Sequence, residues 1–262
     1  MLRAMYTAAS GMEAQQLNID NIAHNLANIN TSGYKMRRAQ FQDLLYQSIR
    51  QAGASNTATT EIPVGTQIGL GTRLAATEIV FSQGDFASTG NPLDMVIEGQ
   101  GFFQILMPNG EIAYTRNSNF HLNRDGNIVT SDGDLLEPEI TIPEDQTGIS
   151  VGKDGTVTVT IAGQTEQQIV GRIELAFFRN PSGLEPMGKS LLRPTQASGD
   201  AIPGTPGEDG LGTLMSGYVE QSNVSVVEEM VNMIISQRAY EANSKVIRTA
   251  EEMFTQANNV VR

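Results

Sequence analysis

The sequence predicts an α+β fold, with paired N- and C-terminal coiled-coil helices and a central, mainly antiparallel β domain between them. Three observations lead there. All ten prolines fall between Pro63 and Pro206, and glycine is nearly excluded from the ends, with Gly11 alone before Gly33 and none after Gly217. Both residues interrupt regular structure, so the ends read as unbroken helix and the middle as turn-rich. Apolar residues recur every seven positions near both ends, which is the repeat of helices that pair along a seam. In the middle, strand-like runs are separated by Asn-Gly and Asp-Gly dipeptides, which suit tight hairpin turns.

The first helix carries the series Met5, Met12, Ile19 and Leu26, with Ala8, Ile22 and Ile29 three positions after members of it. Gln15, Gln16, Asn18, Asn21, Asn25, Asn28 and Asn30 surround this stripe. Uncharged hydrogen-bonding residues suit a helix surface that meets other helices without repulsion. The expected stop is Thr31-Ser32-Gly33, where glycine can turn left-handed. Then comes Gln51–Thr72, low in charge and rich in Ala, Thr and Gly. It reads either as a disordered linker or as an extended arm that orders against a neighbour.

The β region follows in hairpin-sized pieces: "GFFQILM", Pro108-Asn109-Gly110 and "EIAYT"; "FHLNRDGNIVT" around Asp125-Gly126; "TVTVTI" after Asp154-Gly155; and "RIELAFF" (Arg172–Phe178), closed by Pro181-Ser182-Gly183. The last helix carries Val226, Met233, Tyr240, Ile247, Phe254 and Val261, with a row of Ala239, Val246, Met253 and Val260 beside it and a small row of Asn243, Ala250 and Ala257. Ser225 and Glu228 have the spacing of a capping box at its start. The expected regions are an N-terminal assembly helix (1–30), a connecting region with the extended arm (31–75), the central β domain (76–200), a return connection (201–224) and a C-terminal assembly helix (225–262).

Composition narrows the function. The 262 residues are enough for two domains or one elaborate one. The net charge of −12 lies entirely in residues 51–217, between ends of +2 (1–50) and −2 (218–262). An acidic middle argues against nucleic acid, which needs clustered Lys and Arg. Near-neutral ends lack the repulsion that would hold them apart. With no cysteine there is neither a disulfide framework nor a thiolate metal site. No stretch approaches the roughly 20 apolar residues of a membrane span, so no membrane insertion is expected. The N-terminus lacks the apolar core of a cleavable signal peptide, so export, if any, takes another route.

Nothing in the sequence points to an enzyme or a cofactor. His24 has only Asp20 within one helical turn, and one carboxylate with one imidazole is an incomplete metal site. His121 alternates within a strand. Asp125, Asp132, Asp134 and Glu137 cluster, but Gly126 follows Asp125 directly where a calcium loop needs ligands first, and hairpin turns explain these residues without a ligand. A glycosidase pair among them stays open, with nothing to mark which two. Gly69-Leu70-Gly71 and Gly99-Gln100-Gly101 lack the third glycine and following helix of a nucleotide loop.

"ASGMEAQQLNIDNIAHNLANINTSGYKMRRAQFQDLLYQ", with its core Leu26–Lys35, resembles the N-terminal signature of the bacterial flagellar rod and hook proteins. "GYVEQSNVSVVEEMVNMIISQRAYEANSKVIRTAEEMFTQANNV" (Gly217–Val260) looks like the family's C-terminal signature, and Val96–Leu136 is similar to the shared β domain. Asn25, Leu26, Ala27, Asn28, Asn30, Thr31, Gly33, Tyr34 and Lys35 carry the motif. Within the family, the length, the opening and the Gln51–Thr72 segment look most like distal-rod subunits. Two places depart from the pattern: His24 stands for an expected asparagine, and "TRNSNF" for a more usual acidic residue and glycine after "TR".

The resemblance implies a structural subunit of a hollow helical shaft. Its terminal helices would line a channel and its β domain would face outward, transmitting torque from motor to hook and conducting exported subunits. The implied partners are copies of itself, proximal rod proteins, hook or hook-junction proteins, the surrounding ring (bushing) proteins and the flagellar export apparatus. The implied location is the periplasmic rod of the basal body. Self-association is assigned to Met5, Met12, Ile19, Ile22, Leu26, Ile29, Val226, Met233, Tyr240, Ile247, Phe254 and Val261. The alternatives are another axial subunit (proximal rod or hook), a carbohydrate-active β enzyme with oligomerising tails, or an adhesin.

Overall fold

A computed structural model describes residues 2–50, 55–57, 60–61, 63–162 and 167–260. Val261 and positions 51–54, 58–59 and 62 of the arm segment lie outside them. The chain divides into two compact units, one of Met1–Ala27, Arg37–Glu78 and Ser225–Arg262, the other of Asn28–Met36 and Ile79–Val224.

The first unit is built on helix α1 (Leu2–Ala27) and helix α2 (Val226–Val260). At roughly 1.5 Å per residue, the 35 residues of α2 extend for about 52 Å. α2 starts directly after Ser225, whose carbonyl accepts from the Glu229 N–H (3.0 Å) to close the first turn. α1 stops at Ala27, before the expected Thr31-Ser32-Gly33. Asn, Thr and Ser offer the backbone local hydrogen bonds that compete with the helix, and here the Thr31 N–H closes a turn onto the Asn28 carbonyl (3.1 Å). Arg37–Asp43 pairs with Thr72–Ile79, and Tyr46–Arg50 pairs antiparallel with Thr66–Gly69, Gln47 opposite Ile68. In the described part of Gln51–Thr72, the strand Thr66–Gly69 is thus extended and paired within the same chain.

The second unit is the β domain. Its largest sheet has nine strands. At its centre Phe102–Leu106 pairs antiparallel with Ile112–Thr115 across the Pro108-Asn109-Gly110 turn and, on its other side, with Leu135–Glu137. Phe120–Leu122 and Ile128–Thr130 form the Asp125-Gly126 hairpin. A separate three-stranded sheet joins Gln146–Val151, Thr156–Ile161 and Gln167–Arg172. In "TVTVTI" alternation decides the faces: Val157 and Val159 are fully buried, and Thr156, Thr158 and Thr160, which alternate with them, are half-exposed. "RIELAFF" is two strands rather than one. Arg172 ends the three-stranded sheet, whereas Leu175–Phe177 joins the nine-stranded one. The break comes at Ile173, whose side chain is fully buried and whose N–H is taken by the Gly155 carbonyl (2.8 Å). Met95, Ile97, Phe103, Ile105, Phe120, Leu136, Leu175 and Leu214 fill the core at 0–1% exposure, each burial being worth about 1.5–3 kcal/mol.

Candidate functional site

Two constructions stand out, one in each unit. In the first unit α1 and α2 run antiparallel, and the centre of their seam is polar. Asn25 Nδ2 donates to Glu229 Oε2 (3.1 Å), and Asn18 Nδ2 donates to Ser236 Oγ (2.8 Å). At the next step Gly11 faces Asn243 so closely that a Cβ there would lie 2.8 Å from Asn243 Nδ2. Positions fall by seven on α1 while they rise by seven on α2, and Ala250, one further step along, is buried at 1% exposure. Asn25 and Glu229 are themselves buried, at 1% and 5%. A polar residue in a helical seam fixes register, because a slip strands its partner without a hydrogen bond. The Asn25 amide also joins the helix to the strand Arg37–Asp43: Nδ2 donates to the Arg37 carbonyl (2.9 Å) and Oδ1 accepts from the Arg37 N–H (3.0 Å), while Asn21 Nδ2 donates to the same carbonyl (2.8 Å). Asn18, Asn21 and Asn25 are thus engaged within one chain, where the sequence suggested a surface for other chains.

A double-mutant cycle on Asn18→Ala and Ser236→Ala should give a coupling of about 1 kcal/mol in the thermal unfolding of the helices. Independent, additive effects would mean that the contact contributes nothing to register.

The sevenfold apolar residues lie beside this seam. In the single chain Ile22 is buried, and Met5, Met12, Ile19, Leu26, Met233 and Ile247 are half-buried. Val226, Tyr240 and Phe254 are exposed at 42%, 40% and 38%, and Ile29 is half-buried in the second unit. A more exposed apolar face occupies the start of α2: Val227 (73%), Met230 (52%), Val231 (49%), Ile234 (55%) and Ile235 (60%). The sequence series passed over these five, although their i, i+3, i+4 spacing is a readable stripe.

In the second unit the motif residues Gly33–Lys35 meet Arg116 and the segment that precedes α2. Lys35 Nζ lies 2.5 Å from Glu220 Oε1 and donates to the Ser82 carbonyl (2.8 Å). Arg116 Nη1 is 3.6 Å from Glu220 Oε2 and donates to the Ile97 carbonyl, and Nη2 donates to that of Gly99. The three side chains are 4%, 1% and 7% exposed. Burial pulls the Lys35 ammonium below its ordinary pKa against the opposing pull of Glu220, and it acts on Arg116 in the same way. Two cations thus share one carboxylate, whose Oε1 also accepts from the Gly84 N–H (3.0 Å). Gly33, at φ +68°, donates its N–H to the Glu220 carbonyl (2.8 Å), and a Cβ there would collide with the Arg116 carbonyl. Asn223 closes the ring: Oδ1 accepts from the Met36 N–H (2.7 Å) and Nδ2 donates to the Val80 carbonyl (2.9 Å).

The motif is therefore split between the units. Asn25, half-buried Leu26 and exposed Ala27 belong to the helix pair; Asn28, Asn30, Thr31, Gly33, Tyr34 and Lys35 belong to the β domain. Arg116 comes from the "TR" of "TRNSNF", directly before the residues that depart from the pattern of the resemblance.

The polar residues weighed for chemistry are dispersed. Asp125 is in one hairpin turn; Asp132 and Asp134 are in another, where Asp132 pairs with Lys189 at 3.7 Å. Among the described residues no three His, Cys, Asp or Glu side chains could share a metal ion, and no helix is long and apolar enough to cross a membrane. His24 is held below the usual imidazole pKa, first by desolvation and then by the Arg37 charge.

Three family models match the chain: the flagella basal body rod protein over residues 5–35, the flagellar hook protein FlgE/F/G D1 domain over 96–159, and the flagellar basal body rod FlgEFG protein C-terminal region over 215–260. Among curated relatives, the flagellar basal-body rod protein FlgG of Borreliella burgdorferi is 47% identical over 264 residues, and that of Caulobacter vibrioides is 48% identical over 262, each alignment spanning 100% of both chains. The protein of the same name from Buchnera aphidicola subsp. Schizaphis graminum is 47% identical over 253 residues, 97% of each chain.

Proposed function

The chain belongs to the flagellar basal-body rod family, and from that premise we propose that it builds the distal part of the rod by packing its helix pair against the helix pairs of other copies. It is a structural subunit located in the flagellar basal body. The observation that carries the mechanism is the apolar face Val227–Ile235 on α2, which the polar seam leaves uncovered. Met5, Met12, Ile19, Ile22, Leu26, Ile29, Val226, Met233, Tyr240, Ile247, Phe254 and Val261 join it in our reading, and self-assembly buries the face. The arm offers Val64 (75% exposed), and Leu45 (84%) and Ile49 (59%) are exposed just before it, which supports a bracing contact between neighbours. Proximal rod subunits, hook or hook-junction subunits and surrounding ring proteins are its further partners. It reaches the periplasm through the flagellar export apparatus and carries no catalytic activity.

Sedimentation velocity with circular dichroism, across concentration, tests this on the full chain, on a chain lacking residues 1–30 and 225–262, and on the Val227→Asp/Ile235→Asp variant. The full chain should polymerise with a gain of helix. The truncated chain should stay a β-rich monomer, and the double variant a folded one. A full chain that is monomeric at every concentration, or a double variant that assembles like wild type, overturns the mechanism.

A further inference from the structure

The second unit contains a cleft of about 170 Å³ that the reading above does not use, lined by Phe81, Phe102, Phe177 and Phe178 with Arg116 and Arg179. Its wall is rigid: Phe81 and Phe178 each meet Phe102 edge-on (5.4 and 5.7 Å between centroids), and Tyr114 meets Phe178 at 4.8 Å. The Arg116 guanidinium lies 5.5 Å from the centroid of the Phe102 ring. Arg116 is 7% exposed; its Nε–H has no hydrogen-bond partner, and neither has Glu220 Oε2, 3.6 Å from Arg116 Nη1. Among the described residues, Glu220 is the one carboxylate in ion-pair range of Lys35 and Arg116, so a positive charge remains in excess. Arg179, exposed at the cleft, forms no ion pair among the described residues. The cleft thus combines apolar rings with two guanidinium groups, one of them exposed and without an ion pair among the described residues.

We propose that this cleft is a docking site for a second copy of the chain, which inserts a carboxylate side chain flanked by an apolar one. The occupant follows from charge: the chain has a net charge of −12, concentrated in residues 51–217, so a copy of itself is rich in the group the cleft lacks. Segments of this kind are exposed, such as Glu111-Ile112, and Asp43 with Leu45. The proposal rests on the self-assembly reading and adds a contact made by the β domain.

Gln100 lines the cleft and is exposed, so a photo-cross-linking p-benzoylphenylalanine can replace it without disturbing the core. In polymers of the full chain, irradiation should join this position to a second copy, at a peptide with Asp or Glu beside an apolar residue. Arg179→Glu should lower that yield roughly tenfold, in the range of electrostatic steering, while the unfolding midpoint stays at the wild-type value. Polymers that form without this cross-link, with one to a different protein only, or with a yield indifferent to Arg179→Glu, overturn the docking site and leave the assembly reading standing. A wild-type chain that forms no polymer overturns both.

Discussion

Glu220→Ala should destabilise the β domain by about 3–5 kcal/mol, the usual cost of removing one partner from a buried ion pair. The variant leaves Lys35 and Arg116 buried without their shared carboxylate and takes the acceptor from the Gly84 N–H. It also loosens the contact between the motif and the segment before α2, because Gly33 reaches the backbone of the same residue. Glu220→Gln keeps the shape and an acceptor but not the charge, and should lie between alanine and wild type. Lys35→Met should cost less than Glu220→Ala, since Glu220 retains Arg116. Urea unfolding followed by intrinsic tyrosine fluorescence measures all three. A loss below about 1 kcal/mol for Glu220→Ala, the scale of an exposed pair, would show that the cluster is solvated and not a structural lock.

Asn25→Ala should remove about 3 kcal/mol from the helical unit, from three hydrogen bonds of roughly 1 kcal/mol each. Glu229 would then stay buried at 5% exposure without the Asn25 amide, and the strand Arg37–Asp43 would lose its tie to α1. Asn25→Asp should be worse near neutral pH, because it sets a second carboxylate against Glu229. Two such groups share a proton when one pKa is raised. A raised folded pKa means that the native state binds more protons, so the variant should regain stability as pH falls through that pKa. Helix melting followed at 222 nm across pH reads both effects. Equal losses for the two substitutions at all pH values would place Glu229 away from Asn25 in solution.

The helices and hairpins were legible because each follows a repeat that sequence alone displays: seven for Met5, Met12, Ile19 and Leu26, and two for Val157 and Val159. The polar seam was not. Glu229 and Ser236 continue the row of Asn243 and Ala250, but a template that counts apolar residues assigns a glutamate and a serine to water. Asparagine on α1 was visible as unusual, while its partners were not, since a hydrogen bond between distant residues leaves no periodic trace. The same holds for Lys35, Arg116 and Glu220. Each alone reads as a surface charge, and only the fold shows that they share one buried space. "RIELAFF" was read as a single strand because the change of sheet at Ile173 alters hydrogen-bond partners and not hydrophobicity.

The distance in sequence between Lys35 and Glu220, 185 positions, also sets the order in which the molecule can form. Contacts between remote positions pay the entropy of closing a long loop before they return any stability, so folding that depends on them is slow. A chain emerging from the ribosome cannot complete the lock until residue 220 has been made, and the seam of α1 and α2 must wait longer still. The lock therefore closes only after the strands between its two halves have been made, a timing written into the placement of three charges.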